Sequence, residues 1–168
     1  FGLVRGALSE GGVASHWLPV HNLSFDDARA ITEAFCGVFE DCTLWTGAGY
    51  DWLLVGTRGL RPPGDEGFGA PWGVPALRAS LEEIGLARPE QVGTTFLADA
   101  AQLREWLGPA RPLVDDFPLR LSVALPERRP AAFERLADPE GARRRFAESA
   151  WVARFWPPGL RAATLERF

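Results

Sequence analysis

The strongest constraint on what this chain can fold into lies between Gly11 and Phe39, GGVASHWLPVHNLSFDDARAITEAFCGVF. Val13 to Val20 is an apolar run of strand length, and its near-continuous apolar character predicts a strand covered on both faces of a sheet. Pro19 belongs at its end, because proline has no N–H to give to a central ladder. Ser24 then stands as an N-cap, with Asp26 and Asp27 in the first turn, where carboxylates favour the positive end of a helix. Phe25, Ala28, Ile31, Phe35 and Val38 recur at helical spacing and form an apolar stripe. A strand followed by an amphipathic helix makes this an α/β piece and leaves its activity open.

The flanking residues extend that reading. Phe1 to Leu8 has the spacing of the tail of a helix, closed at Gly11 and Gly12, where a left-handed turn is expected. Cys42 to Trp45 and Trp52 to Gly56 are short β-prone segments around TGAGYD, whose glycines suit a hairpin. The chain therefore divides into an α/β portion over 1–59, a glycine- and proline-rich surface loop over 60–75, helical segments with an extended DDFP motif over 76–126, and a helical extension over 127–168. Helices are predicted from Val74 to Ile84 and from Ala98 to Leu107, the second capped by Asp99, and two more after Glu127. The run Arg143 to Arg145 reads as a solvated helix face.

Composition excludes several classes of function. At 168 residues with 46% hydrophobic content, the chain has the size of one ordinary domain, with room for an appendage. A formal charge of −4 provides no basic field to collect nucleic acid. There is no apolar run of the length a membrane span needs and no signal architecture at the start, so no membrane insertion by this chain is expected. Cys36 and Cys42 cannot make a disulfide framework and match neither CxxC nor a zinc pattern; two free thiols in a reducing, cytoplasmic compartment are the expectation. All basic residues are arginine, methionine is absent, and the chain opens inside a helix, which reads as part of a longer polypeptide.

The order of motifs then carries a resemblance. A helix, GGV, an apolar strand with WLPV, a Ser-capped helix, a tryptophan strand, a Gly-rich turn, WLLVGTRG and a later LVDDFP resemble the C-terminal half of spermidine synthase-like proteins, which share the Rossmann-like fold of S-adenosylmethionine-dependent methyltransferases. The likeness is clearest over 1–59, with a second anchor at 112–118. It implies that Val13 to Val20 is the fifth strand of that sheet, Ser24 to Phe39 the helix after it, and the segments around Trp45 and Leu54 the final pair, one inserted antiparallel. The family's cofactor loop and catalytic aspartate segment lie upstream of these motifs. This chain alone is thus expected to bind no cofactor; decarboxylated S-adenosylmethionine or S-adenosylmethionine would be held with an N-terminal segment or partner chain. A homodimer and a polyamine-type small molecule are the other implied partners.

Ser15, His16 and Trp17 gain interest because open α/β sheets bind ligands at the carboxyl ends of their strands. An imidazole at position 16 could transfer a proton near neutrality or simply hydrogen-bond at a strand end. Trp17, like Trp45 and Trp52, could wall a ligand or fill a core. His16 and His21 fall on opposite faces of an extended strand, so no shared metal is expected. Asp115 and Asp116 could grip a cationic amine or accept backbone bonds in a turn. Where polyamine synthases carry a longer segment around their amine, this turn offers Tyr50 and Asp51. Three functions stay open: part of an aminopropyltransferase, an inert assembly or regulatory module of the same fold, or a methyltransferase with an unknown acceptor.

Overall fold

The computed structural model describes residues 1–62, 64–114 and 131–168. The chain is mixed α/β. Helix α1 (Gly2–Ala7) leads into strand β1 (Gly12–Pro19), helix α2 (Phe25–Cys36), and strands β2 (Thr43–Thr46) and β3 (Asp51–Arg58). Helices α3 (Asp65–Gly69) and α4 (Pro75–Glu83) precede strand β4 (Phe96–Asp99) and helix α5 (Ala100–Leu107). Helices α6 (Ala131–Leu136), α7 (Pro139–Glu148), α8 (Ala150–Phe155) and α9 (Pro158–Leu165) complete the described residues.

The strands form one sheet in the order β1-β3-β2-β4, antiparallel at each pairing. Because β3 runs against both of its neighbours, β1 and β2 point the same way with β3 between them. Side chains alternate across a strand, so the register fixes two rows. His16, Leu54, Leu44 and Ala98 lie abreast in one row, and Trp17, Leu53, Trp45 and Phe96 in the next, on the opposite face. A bulge between Leu44 and Trp45 lets both Leu97 and Ala98 join the first core while Phe96 joins the second.

The first face is buried by α2, α5 and α6 through Ile31, Phe35, Leu103, Leu107, Phe133 and Leu136. Ser24 caps α2 as its side chain accepts from Asp27 N; of the predicted stripe Ala28, Ile31 and Phe35 are buried, Phe25 and Val38 are partly buried, and Ala30, Thr32 and Cys36 are buried beside them. The second face carries a smaller core in which Phe96 packs with Phe146, Val152 and Trp156. At Gly56 the strand meets Phe39 so closely that an added Cβ would lie 2.4 Å from the ring's Cγ. Glycine is required there for packing rather than for backbone conformation.

Several expectations need correction. Strand β1 is not covered on both faces: Ala14 and Leu18 are buried, but Val13 and Trp17 are 56% and 57% exposed. Its apolar run reflects one core face and one open face, which periodicity alone cannot separate. Within the loop expected over 60–75, Asp65–Gly69 is helical. Strand β4 takes the residues just before Asp99, and the predicted helix starts at Ala100 with Asp99 as its cap. Among its described residues, 131–168, the extension holds four short helices rather than two.

The cysteines are not free either: Cys36 and Cys42 form a disulfide that joins the end of α2 to the residue before β2. The five residues between them make a tight connection that brings the two positions face to face, a proximity that motif spacing does not reveal. Arg145 is likewise not a solvated residue. Its guanidinium donates to the carbonyls of Leu97 and Leu136, and Gln102 Nε2 donates to the Arg145 carbonyl at 2.9 Å. Burial pushes its pKa down from the ordinary arginine value, with Arg144 adding to the shift.

Candidate functional site

The pleat of β1 divides the residues expected to act together. His16 turns into the first face, where its ring meets Phe1 edge-on at 5.0 Å and stacks on Phe35 at 6.3 Å between centroids. Burial lowers its pKa. Ser15 and Trp17 point from the opposite face, Ser15 abreast of Val55 and Trp17 abreast of Leu53. Tyr50 packs against the first core, and its carbonyl accepts from Val20 N at 3.2 Å. Asp115 and Asp116 lie outside the described residues.

Trp17 and Asp51 are brought together. The turn returns the chain so that Pro19 stands opposite Asp51, and Trp17 Nε1 donates to Asp51 Oδ1 at 3.0 Å. His21, just past the end of β1, places Nδ1 3.6 Å from the same carboxylate oxygen. Asn22 Nδ2 lies 2.9 Å from His21 Nε2. The carboxylate therefore sits between an indole donor and an imidazole, at the carboxyl end of β1. His21 escapes sequence reasoning because its partner is thirty positions away and the pairing depends on the register of β1 against β3, with α2 and β2 between them; proximity to the strand end is the only signal.

This cluster remains open to water: the His21 and Asp51 side chains are 40% and 42% exposed. A half-exposed carboxylate can hold a cation by charge. It contains no nucleophile activated by a neighbouring base. No group of three or more histidine, cysteine, aspartate or glutamate side chains among the described residues could hold a metal ion.

Next to Trp17 and Asp51 on the same face, Leu53 forms the floor of a recess of about 530 Å³. Trp45 and Val55 extend the floor, Trp151, Phe155 and Trp156 form one wall, and Phe68 and Leu86 another. The wall follows from packing in the second core, where Trp45 meets Phe96 at 5.3 Å and Trp151 at 5.8 Å. The residues of the recess were outside the expected site, since they come from four distant parts of the chain.

Among the described residues, no helix is long and apolar enough to cross a membrane. No family model, no curated protein and no solved structure matches the chain.

Proposed function

We propose that this chain is the C-terminal portion of a spermidine synthase-like aminopropyltransferase, supplying sheet and one wall of the substrate cleft while a nucleotide-binding segment supplies cofactor and base. The reading rests on one topological observation: β3 lies antiparallel between β1 and β2, which run in the same direction with α2 connecting them. That is the arrangement the resemblance implies for the last strands of a methyltransferase-type sheet. The Trp17–Asp51 pair supports it, since a carboxylate at the carboxyl end of β1 suits a cationic amine. The free edge of β1 and the open face at Val13 and Trp17 suit the remaining strands and helices of such a sheet.

An inert assembly or regulatory module of the same fold is the second reading. It is favoured by His16, the one candidate proton carrier on β1, being packed between Phe1 and Phe35. A methyltransferase on another acceptor follows from the same topology. Isothermal titration of the chain together with its nucleotide-binding segment separates the three. Heat from decarboxylated S-adenosylmethionine supports the aminopropyltransferase, heat from S-adenosylmethionine alone the methyltransferase, and none from either the inert module.

A further inference from the structure

The recess over Leu53 differs in chemistry from the polar cluster beside it, and its inference stands independently of the function proposed above. We propose that it is a binding site for one uncharged, largely apolar small molecule. None of the described residues lining it is acidic, basic or histidine. A charged guest would leave water there without gaining a counter-charge, whereas an apolar guest gains by the same transfer. The volume of about 530 Å³ falls within the roughly 300–1,000 Å³ of ordinary small-molecule sites.

The wall at Ile84 and Leu86 is built to yield. Helix α4 has no buried residue, Ile84 at its end is 69% exposed, and the segment closes on itself as Trp72 Nε1 donates to the Leu86 carbonyl at 2.8 Å. Segments with so little tertiary burial open at low cost, which gives the recess an entrance.

The test is titration of the chain with Nile red, an uncharged dye with a carbonyl group, followed by its fluorescence. Saturable one-to-one binding is expected, with affinity at least tenfold weaker in Leu53→Glu, severalfold weaker in the rim variant Ile84→Glu, and unchanged in Val13→Glu outside the recess. Nile blue, the cationic dye built on the same ring system as Nile red, should bind at least tenfold more weakly than Nile red. Circular dichroism establishes that each variant is folded; should Leu53→Glu fail to fold, the exposed Ile84→Glu decides. Non-saturable binding, equal affinity across the variants, or preference for the cation overturns the proposal.

Discussion

Ser149 Oγ donates to Asp99 Oδ2 at 2.6 Å, tying the end of β4 to the start of α8 inside the protein. Both side chains also cap helices. Asp99 Oδ1 accepts from Ala101 N and Gln102 N at the start of α5, and Ser149 Oγ accepts from Val152 N at the start of α8. One buried carboxylate therefore joins the second core to the sheet through two helix termini.

Removing that carboxylate leaves several donors without an acceptor. Asp99→Ala should cost about 2–4 kcal/mol, a lost cap plus an unpaired buried hydroxyl, and Ser149→Ala about 1–2 kcal/mol. Because the two share one bond, the double variant should lose less than the sum. Urea unfolding of the four proteins checks this; strict additivity would show that the contact contributes no coupling.

Gly56→Ala should destabilise the chain by about 1–3 kcal/mol, since the added methyl overlaps Phe39 at both Cγ and Cβ. The Cβ of Phe39 is fixed by its own backbone, so rotation of the ring cannot relieve the overlap. An unchanged unfolding midpoint in Gly56→Ala would contradict the packing of β3 against Phe39.

The Cys36–Cys42 disulfide predicts no free thiol when the non-reduced protein is denatured and assayed with a thiol reagent. Its loop is short, with a sequence separation of 6, so chain entropy gives about 2 kcal/mol of stabilisation. The Cys36→Ser, Cys42→Ser variant should unfold earlier by that amount, and the non-reduced wild type should lose the same amount on reduction. Two thiols titrating without reductant would restore the expectation of free cysteines.

His16 makes stability depend on pH in a defined direction. Burial holds its folded pKa below the ordinary value of 6.5, so the unfolded chain takes up a proton first as pH falls. The contribution is complete above about 6.5 and is lost as pH drops from there toward the folded pKa. Between pH 7.5 and 5.5 the wild type should lose more stability than His16→Leu, measured by urea midpoints. Equal losses in the two would place the imidazole in water rather than against Phe35.

How far these features can be read from the sequence differs by element. The Ser24 cap and the stripe of α2 depend on residues within a few positions of one another, and both were legible. The same holds for the hairpin around Gly47 to Asp51 and for Asp99 as a cap. Trp17 and Asp51 were each singled out, but not as a pair, because their contact exists only once Pro19 is set opposite Asp51. His16 was placed in the site, although the pleat turns it to the face opposite Trp17.

The sequence by itself determined the local pieces, since capping, spacing and turn chemistry act over one or two turns of chain. Only the tertiary structure decided which face of β1 is covered, which cysteine meets which, and which aromatics enclose the recess over Leu53. Those outcomes follow from strand register and helix docking between segments far apart in the chain. A one-residue change in register would exchange Trp17 with His16 between the core and the open face.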